Sequence, residues 1–478
     1  MNLNDFIIMR HELLLTTVII ILLIAEVFSI FEKGEKSISE FSFGIEMFAI
    51  LLFLIITLVG FVPSGRGMLF GGMYQTDEIR ILMKNILNIG TLIILFQSVS
   101  YLRKNENKEK STEFILLLFS TLLGMNFMVS SGDFLMFYLG LELATLPLAA
   151  LAAFDKFKNK FSEAGIKFIL LAALSSGVTL YGISMIYGTN GSIYFSDVSL
   201  TFSDEGLQIL AFIFFISGLA FKISLVPFHF WAADVYEGAP VNITSYLSVI
   251  SKGAAVFIFI ILLYHVFPVI SKEWTYLLYA LSILTMTIGN LFAIRQQNLK
   301  RFLAFSSIAQ AGFILLGVIG EPQLGLASVI YFVLIYVFSN LGAFGVVSAI
   351  SNFSGKENMN DYNGLYQTNP KLSLVLMLSL FSLAGIPPVA GFFGKFFLFT
   401  AAAQKGFYGL VIIATLNATI SLYYYLLVIK AMFINKNEQP VEYFRNDFFT
   451  RTGLLICVLG MIIIGFASFI FDGIFSMS

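Results

Sequence analysis

The chain is poor in the residues that hold redox groups. Among 478 residues there is one cysteine, Cys457, and three histidines, His11, His229 and His265. An iron–sulfur cluster takes about four thiolates, so this chain cannot ligate one. No C-x-x-C-H run, P-loop or Rossmann glycine pattern occurs. These absences exclude electron transfer and ATP hydrolysis by the chain itself, and no metal or cofactor is expected on it. Charge is scarce as well: Asp, Glu, Lys and Arg make up 12% of the residues, against roughly 25% in a soluble domain. The formal net charge is −1 and no basic block is present, so no nucleic-acid partner is expected. A membrane β-barrel is excluded too, because its strands alternate and run only about 9–11 residues.

What is present is hydrophobicity. Apolar residues make up 58% of the chain, and the mean hydropathy is +0.88. Stretches long enough to cross ~30 Å of hydrocarbon as helices recur from end to end. The sequence therefore reads as an all-α polytopic membrane protein. Fourteen spans are legible, at 13–31, 43–62, 85–102, 113–130, 133–153, 164–187, 208–229, 243–267, 274–294, 302–319, 323–350, 372–404, 408–433 and 452–471. The first follows a short head with Arg10 and lacks a small-residue cleavage site, so it reads as a span and not a signal peptide. No linker or composition shift divides 1–478, which reads as a single membrane domain. Lysines and arginines gather in the loops after the odd-numbered spans. The opposite side holds Arg10, Arg66, Arg80, Lys84, Lys272 and Lys405. The positive-inside rule then puts both termini on the non-cytoplasmic side.

Four charges lie deep in apolar runs: Glu142 in span 5, Lys222 in span 7, Lys252 in span 8 and Lys395 in span 12. A charge at the bilayer centre costs at least ~2.5–3.5 kcal/mol, so such residues face the protein interior and have a use. Lysine suits proton transfer. It is charged at its ordinary pKa of ~10.4, and burial can bring that down to ~5–6. A nearby carboxylate reverses the shift, so a Glu142–Lys222 pair of variable separation is a tunable proton holder. An ion pair that only locks helices together is the competing reading. Lys167, four residues after Glu163, reads as one half of an ordinary helix-surface pair.

Prolines interrupt two of these spans. Pro227 falls five residues after Lys222, and Pro387 and Pro388 fall just before Lys395. A proline inside a helix removes one hydrogen bond and clashes with the preceding turn. In lipid, the freed carbonyls must find protein or water, so a break at membrane depth implies a polar cavity of the kind ion-coupled transporters use. A kink of purely structural purpose is the alternative. Spans 7 and 12 are five apart and so run in opposite directions. That order points to two inverted five-helix units, 113–267 and 274–433, preceded by helices 1–3 in 1–112 and followed by helix 14 in 434–478. His229 stands at the broken end of span 7. It can shuttle protons near neutral pH or bond a freed carbonyl. His265 reads as interfacial, and Glu26 in span 1 receives no role. Asp234 and Glu237 are expected to organise the loop after span 7, and Tyr424 to line a water path.

Four segments carry a family resemblance: HFWAADVYEGAP (229–240), SVISKGAA (248–255), GNLFAIRQQNLKRFLAFSSIAQAGFILLG (289–317) and LAGIPPVAGFFGKF (383–396). Together they resemble the antiporter-like membrane subunits of respiratory complex I, the NADH–quinone oxidoreductase. The resemblance covers spans 4–13 well and the whole chain in length. It implies fourteen transmembrane helices with two inverted five-helix repeats and broken helices 7 and 12. It implies proton translocation from the cytoplasm to the outside of a bacterial inner membrane, driven by quinone reduction elsewhere in the assembly. NAD, FMN, iron–sulfur clusters and quinone would belong to that assembly, and the neighbours would be M-type and K-type membrane-arm subunits. Carried over by motif, Glu142 looks like the glutamate that tunes the adjacent lysine. Lys222 looks like the central proton acceptor, Lys252 the relay, and Lys395 the group nearest the exit. M-type members carry Glu at that last position. L-type members carry a long lateral helix, whereas this chain stops soon after span 14. Two positions depart from many relatives: Ala233 replaces Pro, and Gln310 replaces a histidine. Gln310 can bond a water chain but cannot hold a proton near neutral pH. Related sodium/proton antiporters and membrane-bound hydrogenases share these motifs.

Overall fold

The computed structural model describes residues 3–31, 38–63, 65–104, 106–155, 159–437 and 439–478. The chain opens with α1 (Leu3–Ile8), α2 (Arg10–Phe31) and α3 (Ile38–Gly60). A hairpin of β1 (Gly67–Leu69) and β2 (Tyr74–Thr76) follows, paired antiparallel with Gly67 opposite Thr76. Next come α4 (Glu78–Leu102), α5 (Ser111–Val129), α6 (Phe134–Ala152), α7 (Asn159–Asn190), α8 (Phe195–Thr201) and α9 (Gly206–Ile223). Then follow α10 (Phe230–Gly238), α11 (Val241–Tyr246), α12 (Lys252–His265), α13 (Ser271–Ala293), α14 (Leu299–Ile319) and α15 (Pro322–Ser354). The last are α16 (Leu365–Thr368), α17 (Pro370–Ala384), α18 (Ala390–Gln404), α19 (Tyr408–Phe433), α20 (Phe448–Phe466) and α21 (Ser468–Met477).

Each of the fourteen expected spans falls on helix among the described residues. Among the described residues, twelve helices are long and apolar enough to cross a membrane. Span 2 lies in α3, and span 12 is divided between α17 and α18. Side-chain caps fix several starts. The Asp77 carboxylate accepts from Arg80 N, Asp133 from Met136 N, and Asn298 from Lys300 N and Arg301 N. Each occupies one of the donors that a helix start leaves unpaired. At the other end, α15 stops on Gly355, whose φ of 70° closes a left-handed cap. The outward faces are apolar, with Ile20, Ile24, Leu51, Leu58, Leu170 and Leu174 exposed. That is the exterior a bilayer requires.

The chain forms two compact units, Met1–Gly218 with Phe257–Val269, and Leu219–Val256 with Ile270–Ser478. In the first, α5 and α6 pack through glycines. A Cβ on Gly124 would lie 2.4 Å from Ala144 N, and one on Gly140 would lie 2.6 Å from Met128 N. Phe134 meets Phe195, Phe215 and Phe267 in one aromatic cluster. In the second, α14 and α15 are almost wholly buried. The same close approach recurs there, with Gly289 against Ala309 N.

Local boundaries differ from the sequence reading in four places. The hairpin at 67–76 was not expected in an all-α chain, and it is the one sheet among the described residues, beside three isolated bridges. Helix α4 begins at Glu78, so Arg80 and Lys84 sit in a helix and not in a loop. Span 7 stops at Ile223. Span 14 ends at Phe466 and is followed by a separate helix, α21.

Candidate functional site

The break in span 7 begins one residue after Lys222, which is 5% exposed and lies in the last turn of α9. Ser224 takes a left-handed φ of 65°, and the Val226–Pro227 bond is cis. The freed groups are satisfied within the protein. Leu225 N donates to Ala220 O at 2.8 Å, Val226 N donates to Thr285 Oγ1 at 3.1 Å, and Trp231 Nε1 donates to Phe221 O at 2.9 Å. Trp231 thus holds the carbonyl of Phe221. His229 caps α10 without a side-chain hydrogen bond to it and lies 4.5 Å from the Phe230 ring.

Span 12 solves the same problem with different residues. Helix α17 ends at Gly385, whose φ of 89° suits glycine alone, and cis Pro388 separates it from α18. Lys395 Nζ donates to Ala384 O at 3.0 Å, and Gln310 Nε2 donates to Leu383 O at 2.9 Å. The Ser382 hydroxyl accepts from Gly391 N at 3.2 Å. The two halves approach so closely that a Cβ on Gly391 would lie 1.7 Å from Ser382 O.

Lys252 opens α12 directly after a π-helical turn, Leu247–Ser251, a local feature often found at functional positions. It is 2% exposed, and its Nζ donates to Ser307 Oγ at 2.6 Å and to Ser307 O at 3.2 Å. From there polar groups continue to Lys395. Ser306 shares a hydrogen bond of 2.5 Å with the Tyr425 hydroxyl, and Gln310 Nε2 reaches that hydroxyl at 3.3 Å. Gln310 in turn holds Leu383 O, next to the carbonyl that Lys395 holds. Tyr424, the tyrosine expected on this path, lies against Tyr425 with ring centroids 4.6 Å apart and donates to Asn290 Oδ1 at 2.9 Å. A polar stripe also leads to Lys252 from the start of span 8. Asn242 accepts from Ser348 at 2.5 Å, and Asn340 donates to Ser248 and to the Tyr336 hydroxyl, each at 2.8 Å.

Glu142 lies on α6, partly exposed, and accepts from the Ser176 hydroxyl, which also bonds the Tyr138 hydroxyl at 3.0 Å. Asp234 and Glu237 both accept from Arg301 Nη1, at 2.7 and 3.0 Å. Lys300 bonds Glu357 and Ala239 O beside them. His265 is exposed at the end of α12. Among the described residues no group of three or more His, Cys, Asp and Glu could hold a metal ion.

Buried lysines beside paired helix breaks, in a bundle of this size, define an antiporter-like transmembrane subunit. The family model described as "NADH:quinone oxidoreductase/Mrp antiporter, TM" matches residues 131–421. The chain is 54% identical over 406 residues to NADH-quinone oxidoreductase subunit N of Phocaeicola vulgatus, covering 84% of this chain and 86% of that one. It is 46% identical over 482 residues to the subunit N of Azobacteroides pseudotrichonymphae, covering 100% and 99%. A chain of respiratory complex I from Thermus thermophilus superposes with a TM-score of 0.77 at 27% identity, over 96% of this chain and 97% of that one. A chain of an Mrp complex from Dietzia shares the fold, with a TM-score of 0.85 at 18% identity over 100% and 97%. The chain belongs to the NADH-quinone oxidoreductase subunit N family.

Proposed function

We propose that this chain carries protons from the cytoplasm to the outside as a membrane-arm subunit of NADH–quinone oxidoreductase, driven by quinone reduction elsewhere in the assembly. The observation that carries the reading is a row of buried polar groups between two lysines: Lys252 donates to Ser307, the Tyr425 hydroxyl bonds Ser306 and Gln310, and Gln310 and Lys395 hold the adjacent carbonyls of Leu383 and Ala384. Protons move along such rows by exchange between neighbouring donors and acceptors, and water bridges the steps from Ser307 to Ser306 and from Gln310 to Lys395. The charge order is Glu142, Lys222, Lys252, Lys395. A change in a neighbouring subunit alters the separation of Glu142 from Lys222. Lys222 then gains or loses affinity for its proton, and the proton passes by way of Lys252 towards Lys395. Pro227, Pro387 and Pro388 serve by opening the helices where water and side chains meet. His229 is placed to exchange protons at the end of the span 7 break.

M-type and K-type membrane-arm subunits are the neighbours. A partly exposed carboxylate on the apolar exterior of α6 favours a covering partner there over lipid. NAD, FMN, iron–sulfur clusters and quinone reside on other chains of the assembly. Both termini lie outside the cytoplasm of a bacterial inner membrane. The helical placement of Arg10, Arg80 and Lys84 favours this topology, since it removes three cations from the sparsely charged side.

The test is a mildly purified complex that oxidises NADH with quinone, reconstituted in vesicles. Lys222→Ala should assemble yet abolish or strongly reduce proton transport. Normal transport in that variant would reject the row. Sodium–proton exchange without NADH oxidation would instead place the chain in an antiporter assembly.

A further inference from the structure

The first unit holds a buried ion pair, far in sequence from the row. Lys84 on α4 is 0% exposed and Glu12 in the first turn of α2 is 1% exposed, and Nζ lies 2.9 Å from Oε1. Ser130 donates to the same oxygen at 3.3 Å. The Tyr74 hydroxyl donates to Oε2 at 2.9 Å and accepts from Lys84 at 3.1 Å. The hydroxyl thus touches both charges and offers a path between them.

One helical turn away on each of two helices stands an asparagine. Asn88 is four residues after Lys84 on α4, and Asn126 is four residues before Ser130 on α5. Residues four apart share a helix face. Both asparagines are 1% exposed, and none of their four side-chain polar atoms has a protein partner. His11 adds another: its Nε2 lies 2.9 Å from Asn85 Oδ1, while its buried Nδ1 has no partner. A clamp that only joined helices would not need unpaired amides beside it. Buried polar groups without protein partners are satisfied by ordered water. The remaining charges nearby are occupied. Arg10 donates to Gly60 O, and Arg80 pairs with Asp77.

We propose that Glu12 and Lys84, with water held by Asn88 and Asn126, form a proton-holding site in the three N-terminal helices, separate from the row that ends at Lys395. Its ligands are water and one exchangeable proton. A proton carried in from outside along that water adds to a Glu12 oxygen, giving a neutral carboxylic acid beside the Lys84 ammonium, and its departure along the same water restores the ion pair. The site does not depend on the row carrying protons.

Two measurements on the intact complex test this. An experimental map fine enough to show water should place ordered water within hydrogen-bond distance of Asn88 and Asn126, and a dry contact between the two amides would overturn the proposal. Infrared difference spectra between low and high pH should contain a carboxylic acid band that Glu12→Gln removes and Glu26→Gln leaves in place. A spectrum unchanged by Glu12→Gln would overturn it. Should Glu12→Gln fail to assemble, Tyr74→Phe decides. It keeps the ring but deletes the hydroxyl on Oε2, so it should shift the band, and an unshifted band would overturn the assignment.

Discussion

On the proposed proton path, Tyr425 is the residue that joins Ser306 to Gln310. Its hydroxyl is shared by Ser306 and Gln310, so Tyr425→Phe removes the link and leaves both neighbours short of a partner. Loss of one buried hydrogen bond is worth about 1.4 kcal/mol, or roughly tenfold in rate. Proton transport in vesicles, followed by a pH-sensitive dye at fixed NADH, should therefore slow by about tenfold with the complex intact. An unchanged rate would mean that protons pass through water around the tyrosine. Gln310 has a second duty, because it holds the freed carbonyl of Leu383. The lysines were legible in the sequence because a cation inside an apolar run is conspicuous. Tyr425 was not: its bond to Ser306 joins positions 119 apart, and an aromatic in an apolar helix looks like any other. Lys84 was misread as a loop residue because the polar first turns of α4 resemble a loop in hydropathy. Its partner Glu12 is 72 positions away.

At the scale of elements, the two breaks share a purpose but not a construction. In span 7 the lysine precedes the break and an indole tends the freed carbonyl. In span 12 the lysine follows the break and tends the carbonyl itself. Prolines stand at both, which placed the breaks to within a few residues, although Pro147 inside α6 leaves that helix unbroken. The π-helical turn before Lys252 left no sequence signal, because π geometry is set by packing and not by residue type. Gly391 is the element-scale test. A Cβ there would lie 1.7 Å from the Ser382 carbonyl, a backbone group that cannot step aside. Gly391→Ala should force α17 and α18 apart, and assembled complex on native gels should fall sharply. Wild-type amounts would show that the halves can separate without cost.

For the whole molecule, span count and span order were readable because each crossing needs an apolar run of its own. The hairpin at 67–76 and the terminal helix α21 were not, being too short to stand out against so apolar a background. Lys33, Lys36, Lys156 and Lys158, which contribute to the charge asymmetry, lie outside the described residues. The topology can be measured directly, since the only cysteine, Cys457, is fully buried and gives no background. Ser478→Cys should react with a membrane-impermeant maleimide in intact spheroplasts. Reaction only after permeabilisation would reverse the orientation. The contact of Lys395 with Ala384 O has a mechanical side. A half-helix ends in about half an elementary negative charge, and a charge-assisted bond is roughly twice as strong as a neutral one. On the proposed path the proton on Lys395 would therefore also be the fastener of the joint in span 12: with it the two halves are clamped as one rod, and on its departure the joint would slacken like a released clutch.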